Sequence, residues 1–342
     1  MIPRLNISFP IMRQLQYWFG EKYEPNEGEY LLNHARTGII MALRSTLPNG
    51  GRVGVVAYNC HTVANAVVNA RCTPVFVDVT PDLRIDAVSI PVDLDAIVVT
   101  NLFGIRNDIE AIRKRCPKAI IIVDNAHGYG LPAEGDFTVY SINQGKFPAL
   151  GEGGILVTNE RTKELENERV SEMYALLPGY NLIAQVKLFA AMIAKTIAYS
   201  KLCYWLTMRM KAKRMKELTS ERIKGKVVMR QMAPGIRRLY KVWLPKVDKE
   251  IAKQRQNANI MSERLKDLKI ESIMGENAFM LIAKTQDPAA LQAWFASRGI
   301  ETATHFARAI DWAELFGYKK GSCPNAEKLT KELLMIPTYT NI

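Results

Sequence analysis

The chain has 342 residues, 48% of them hydrophobic and 23% charged, which suits a folded protein with a sizeable core and excludes a disordered or fibrous one. Five cysteines without paired or CxxC spacing, and four histidines scattered at 34, 61, 127 and 305, exclude a disulfide framework and a metal-ligand cluster. The formal charge is +12, but twelve Lys or Arg against two Glu between residues 187 and 230 carry ten of those charges, so the basic character belongs to one segment and no nucleic-acid-binding module accompanies it.

Arg4, Asn6 and Arg13 interrupt the N-terminal stretch before any apolar run reaches signal-peptide length, so the expected location is cytoplasmic. Residues 1–30 are weakly patterned. A helix is expected from Asn33 to Leu47, closed by the stop signal Pro48-Asn49-Gly50-Gly51. Strand-like runs then alternate with helical ones. The strands are Val53 to Tyr58, Pro74 to Val79, Ala96 to Asn101, Ala119 to Val123, Phe137 to Ile142 and Ile155 to Thr158. Helices are expected from Thr62 to Ala70 and from Ile105 to Arg115. Continuous apolar strands separated by helices predict an α/β fold with a mainly parallel central sheet covered on both faces.

In such a sheet, ligands sit at the carboxyl ends of the strands. Asp124 and Ser141 end strands, Lys146 follows on a turn, and Thr37 and Gly38 open a helix. A lysine held on a turn between buried strands can be desolvated, which lowers its pKa and makes it a nucleophile toward aldehydes. The competing reading is a solvated lysine on a hairpin. An acid at a strand end can keep a pyridine nitrogen protonated, or simply cap the next helix. Thr37, Gly38 and Ser141 can hold a phosphate, or Thr37 can be an ordinary cap. Taken together, the four functions are those that pyridoxal 5'-phosphate needs.

The runs Cys72-Thr73-Pro74-Val75-Phe76-Val77-Asp78-Val79 and Val123-Asp124-Asn125-Ala126-His127-Gly128 point to a family, as does Ser141-x-x-x-x-Lys146 with its tail Gly151-Glu152-Gly153-Gly154. They resemble the DegT/StrS-type sugar aminotransferases, which are fold-type-I pyridoxal phosphate enzymes. The resemblance covers residues 30 to 181 well and 232 to 342 more loosely, ending on Leu334-Met335-Ile336-Pro337. It implies a large cofactor-binding domain over 1–235, with a basic helical insertion at 182–230, and a smaller α+β domain over 236–342. It also implies that Lys146 is the Schiff-base lysine and proton shuttle, that Asp124 pairs with the ring nitrogen, that His127 sits near the ring hydroxyl, and that Ser141 and Thr37 bind the phosphate. Gly179-Tyr180-Asn181 matches a family motif whose Asn reaches the neighbouring subunit's cofactor, which implies a homodimer with shared sites. The implied reaction moves an amino group, from L-glutamate, to a keto-sugar on a nucleotide. Relatives that dehydrate instead lack the lysine.

Two positions depart from the family pattern. Cys60, with His61 beside it, stands where the family has an aromatic residue that stacks on the ring, and His61 is the candidate replacement or a capping residue. After Asn181 the family pattern runs to an arginine and a methionine; here it reads Leu182-Ile183-Ala184. A helix is expected from Leu182 to Met210, with Lys187, Lys195, Lys201 and Arg209 within roughly 120° of one another on the wheel. With the basic run Lys211 to Lys216, it suits the plane of an anionic membrane surface, or it packs on the protein or its dimer partner. Leu239 to Leu268 predicts one long helix, Phe279 to Lys284 a strand, Pro288 to Arg298 a helix, and Gly299 to Thr304 leads into a short strand. His305 lies in a loop that approaches the active site in the family and is a candidate substrate contact or a structural residue. The rival to an enzyme is a non-catalytic, membrane-attached relative that keeps the fold.

Overall fold

The computed structural model describes residues 11–162, 164–200, 203–204 and 219–339. In chain order the first half gives α1 (Ile11–Trp18), β1 (Glu29–Leu32), α2 (Ala35–Thr46), β2 (Arg52–Val56), α3 (His61–Asn69), β3 (Thr73–Val77), β4 (Ala96–Thr100), α4 (Ile109–Arg115), β5 (Ile120–Asn125), β6 (Phe137–Ser141) and β7 (Gly154–Thr158). These seven strands form one sheet in the order β1-β7-β6-β5-β4-β2-β3. The five strands β2 to β6 pair in parallel, while β7 runs antiparallel to β6 and β1 antiparallel to β7. The Ile and Val runs make this sheet because both of its faces are covered; all five residues of β4 are buried.

One face is packed by α2 and α3, through Ile39, Ile40, Leu43 and Val67. On the other face Ile97, Val99, Ile121 and Val123 share a core with Met280, Ile282, Leu333 and Met335. Those four come from the C-terminal half, which holds α5 (Glu164–Ala175), α6 (Leu182–Ala198), a single turn at Ser220–Ile223, α7 (Pro234–Trp243), α8 (Val247–Asp267), β8 (Glu271–Met274), β9 (Met280–Lys284), α9 (Pro288–Ser297), α10 (Ala309–Glu314), α11 (Pro324–Glu332) and β10 (Leu333–Pro337). The second sheet is antiparallel, in the order β10-β9-β8.

Several expected elements differ. The weakly patterned stretch up to residue 30 holds α1, and β1 begins at its end, its short run Tyr30-Leu31-Leu32 pairing with β7. The long helix expected from Leu239 is two helices, broken by a 3-10 turn at Leu244–Lys246, where Pro245 has no N–H for the ladder. The helix expected from Ile105 starts at Ile109, because the Asp108 side chain accepts from the Ala111 N–H and caps it there. No strand forms over 299–304; Ala303 makes an isolated bridge to Met335.

The helix expected from Leu182 to Met210 ends at Ala198. The Ser200 hydroxyl donates to the Ile197 carbonyl at 2.7 Å, competing for the last turn, and Tyr199 leaves helical geometry. Lys201, Arg209 and the basic run 211–216 lie outside the described residues. The face of α6 that carries Leu188, Phe189, Met192 and Ile193 packs on the protein. Among the described residues, no helix is long and apolar enough to cross a membrane.

Candidate active site

The carboxyl ends of β2, β4, β5 and β6 and the start of α2 open onto one cavity of about 210 Å³. Its walls carry Asp124, His127, Ser141 and Lys146, joined by Arg36 and Cys60. The register places Thr100 of β4 beside Asp124 of β5, so two neighbouring strands end on the cavity together. Lys146 follows a turn built on glycines. Gly145 has φ 82° and Gly151 φ 101°, a backbone region that other residues rarely adopt. Asn143 holds the turn: its side-chain oxygen accepts from the Gly153 N–H at 2.9 Å, and its carbonyl accepts from the Lys146 N–H at 3.0 Å.

The cavity charges its groups unevenly. The Lys146 amine makes no hydrogen bond or ion pair among the described residues. Burial lowers its pKa, and the nearby Cys60 and Asp124 oppose that shift only in part. Asp124 is 2% exposed, and burial raises its pKa. Its carboxylate accepts from the Ala126 N–H at 3.0 Å and from the Thr100 hydroxyl at 3.3 Å. His127 is buried and held well below the usual imidazole range by burial, then by the charge at Lys146. Its Nδ1 accepts from the Phe103 N–H at 3.2 Å, so in the neutral ring the proton sits on Nε2. Phe103 and Phe279 stack on it, each at 5.2 Å between ring centres. His34, at the start of α2, is pushed down to about 4 by burial and by the Arg36 charge.

Three residues expected at the cofactor, Thr37, Gly38 and His61, do not line this cavity. Thr37 is fully buried, and its hydroxyl donates to the Asn33 side-chain oxygen at 2.8 Å. Gly38 faces the sheet, where an added Cβ would lie 2.8 Å from Val139 Cγ1 and 3.2 Å from Leu156 Cβ, so packing alone requires a glycine here. From α2, Ala35, Arg36 and Ile39 line the cavity; Arg36, the polar one of the three, is one position, and so about 100°, away from Thr37 on the helix. His61 turns from the cavity to meet Trp312 edge-on, with ring centres 5.2 Å apart, which leaves Cys60 at the wall. Within its own chain Asn181 caps α6, accepting from the Ala184 N–H at 2.8 Å.

His305 stands behind the cavity wall rather than on it. Its ring packs on Phe306 at 4.2 Å between centres, and Phe306 lines the cavity. An arginine from much later in the chain packs against this segment. Arg230 lies over the Tyr180 ring, 5.3 Å from its centre, and donates to the Gly179 carbonyl at 3.5 Å. Its sequence signal was an arginine just before Gln231-Met232, where the segment containing α6 ends.

A model of the DegT/DnrJ/EryC1/StrS aminotransferase family matches residues 31–174 and 207–342, leaving out the stretch that contains α6. The pleiotropic regulatory protein of Geobacillus stearothermophilus is 24% identical over 321 residues, covering 86% of this chain and 74% of that protein. The sugar aminotransferase CalS13 from Micromonospora echinospora is similar in structure, with a TM-score of 0.70 and 17% identity over 99% of this chain and 95% of that one. The GDP-4-keto-6-deoxy-D-mannose-3-dehydratase of E. coli, with bound hydrated PLP, matches with a TM-score of 0.71 and 15% identity over 100% and 96%.

Proposed function

The chain belongs to the DegT/DnrJ/EryC1/StrS aminotransferase family and is a pyridoxal phosphate-dependent sugar aminotransferase; from that premise we propose that Lys146, Asp124, His127 and Ser141 are its working residues. The residues present fit the cofactor. An unpartnered amine, a buried carboxylate and a hydroxyl share one cavity, beside the cation Arg36. When bound, the cofactor supplies an electron sink for carbanion chemistry.

The Asp124 carboxylate, fixed by Ala126 and Thr100, would keep the ring nitrogen protonated. The His127 Nε2–H would be the donor to the ring hydroxyl, since the Phe103 N–H occupies Nδ1. Ser141 and Arg36 would hold the phosphate. Burial favours the neutral form of the Lys146 Nζ, which would hold the cofactor and serve as the group that carries the proton during amino transfer. The amino donor is L-glutamate and the acceptor a keto-sugar on a nucleotide, in surface polysaccharide or amino-sugar assembly. Asn181 reaches the neighbouring subunit's cofactor in a homodimer, and His305 comes to the substrate when it is bound.

The observation that carries this reading is the pairing of an unengaged Lys146 amine with buried Asp124 on the walls of one cavity. Purified protein given pyridoxal phosphate should show the visible band of lysine-bound cofactor, and glutamate alone should bleach it. Lys146→Ala should lack the band. A wild-type protein that stays colourless with added cofactor overturns the reading.

The same enzyme works at an anionic membrane surface. What supports this is the outer face of α6, where Leu182 is 68%, Ile183 67%, Val186 48% and Ile197 57% exposed. Vesicles with anionic lipid should co-sediment the wild type and release an Ile183→Glu, Ile197→Glu double variant. Equal sedimentation of both discards the membrane role.

A further inference from the structure

Three segments that are far apart in the chain meet at His127, and one side chain touches all of them. The segments are the turn Leu102–Gly104 after β4, residues 127–129 after β5, and residues 275–279 between β8 and β9. The side chain is Asn277, which is 2% exposed. Its Nδ2 donates to the His127 carbonyl at 2.8 Å and to the Tyr129 carbonyl at 3.1 Å, and its Oδ1 accepts from the Phe279 N–H at 3.2 Å. The turn that carries Phe103 is fitted against the same amide, since a Cβ added to Gly104 would collide with Asn277 Oδ1. The Glu276 N–H donates to the Gly104 carbonyl at 2.9 Å. Phe103, with φ 54°, and Ala278, with φ 49°, hold left-handed backbone, which residues other than glycine keep only where their surroundings over-determine it.

We propose that Asn277 is a positioning residue for the reaction, fixing the stack of rings that aims the His127 Nε2–H at the cofactor. The proposal rests on the assignment of His127 to the ring hydroxyl. Every group that orients the imidazole belongs to a segment that Asn277 holds. Phe103 supplies one stacking ring, 22° from parallel, and the N–H on Nδ1. Phe279 supplies the other ring, 29° from parallel. The two rings resist rotation of the imidazole, and the Phe103 N–H selects one neutral tautomer. Asn277 and Phe279 come from between β8 and β9, so the C-terminal half completes the geometry of a histidine carried by the large sheet. An amide suits the position because its two donors and its acceptor are all used. Leucine, of similar size, would leave two carbonyls and one N–H without that partner.

The chain has four histidines, so nitrogen magnetic resonance of the cofactor-free full chain, isotope-labelled at histidine, reads four rings, and the signal lost in His127→Gln is the one to follow. In the wild type the His127 ring should be the Nε2–H tautomer alone. In Asn277→Ser and in Phe279→Leu the Nδ1–H tautomer should appear as well, at about a tenth of the population or more. In the cofactor-loaded protein, the pH at which the visible band changes should move by about half a unit or more in the same two variants. Ile282→Val trims the core on β9, outside the stack, and controls for lost stability; it should match the wild type in both readouts. If Asn277→Ser does not fold, Phe279→Leu carries the test. A His127 ring that stays a single tautomer in the folded variants overturns the proposal, as does an equal change in Ile282→Val. Mixed tautomers with an unmoved band overturn the assignment of His127 to the ring hydroxyl instead. A wild type that forms no band overturns the aminotransferase reading, whichever tautomer His127 adopts.

Discussion

Arg230 lies over the ring of Tyr180, with its guanidinium carbon 5.3 Å from the ring centre. The chain therefore leaves the site at Asn181, builds α6, and returns to the same place. Gln231 confirms the return, its N–H donating to the Pro178 carbonyl at 3.2 Å. The excursion is anchored on the lysine turn, since Met192 of α6 fills the space beside Gly151, where an added Cβ would lie 2.7 Å from the methionine. An insertion can thus be added between Asn181 and Arg230 while the two remain neighbours.

Tyr180 also donates to Glu152, whose pKa burial raises and whose charge Arg36 and Arg230 favour. Tyr180→Phe takes the donor from a half-buried carboxylate and keeps the ring under Arg230. The unfolding free energy should fall by about 1.5–3 kcal/mol, the range for a hydrogen bond to a charged group. Urea titration measures it, and a loss under about 0.5 kcal/mol, within the ordinary surface range, would show that the bond contributes little.

Gly38→Ala separates packing from phosphate binding. Alanine gains about 1 kcal/mol in a helix interior, but its methyl would press on Val139 and the Leu156 backbone end. Overpacking costs about 1–3 kcal/mol, so the net change should be destabilising. Cofactor affinity should hold within about twofold in Gly38→Ala and in Thr37→Val, because neither residue lines the cavity. A tenfold or greater loss in Thr37→Val, measured by titrating the visible band, would return Thr37 to the phosphate.

Much of this was legible from spacing. Buried Ile and Val runs marked β2, β4, β5 and β6, and Asp124, Ser141 and Lys146 had to converge once those strands were parallel. Residue-level facing was not legible on helices. Arg36, Thr37 and Gly38 are consecutive, and only three-dimensional packing decides which of them meets the cavity; the small glycine was needed where α2 crosses β6 and β7. The role of His61 stayed open in the sequence for the same reason, since α3 begins there and Trp312, far along the chain, meets the imidazole edge-on. Arg230 was hidden by distance in sequence. β1 was hidden by its four-residue length, which carries little periodic signal.

Cys60 at the cavity wall predicts a protected thiol. Cys72, Cys116 and Cys323 are buried, while Cys60 and Cys203 are half-buried. Iodoacetamide should label Cys60 in the cofactor-free protein and label it at least about tenfold more slowly once pyridoxal phosphate fills the cavity. Cys203, away from that cavity, supplies the internal control and should keep its rate. Mass spectrometry of the labelled peptides reads both. Equal Cys60 labelling with and without cofactor would place the ring away from this wall.

His34 sets the response to acid. Burial and the Arg36 charge push it down to about 4 from the model-peptide value of 6.5, while the Asn143 side chain, at 3.3 Å from Nδ1, opposes them. Between those two values the unfolded chain takes up a proton that the folded chain refuses. Stability from this residue is therefore complete above pH 6.5 and falls as the pH drops toward 4. The full difference corresponds to about 3 kcal/mol. Buried His127 acts in the same direction, and Asp124, whose pKa is raised, acts in the opposite one. The comparison must accordingly be made between proteins that differ only at position 34. In His34→Gln the loss of unfolding free energy from pH 7 to pH 5, followed by urea titration of the cofactor-free protein, should be smaller than in the wild type by about 1–2 kcal/mol. Parallel curves for the two proteins would mean that the His34 imidazole is protonated in the fold, with its charge accommodated beside Arg36.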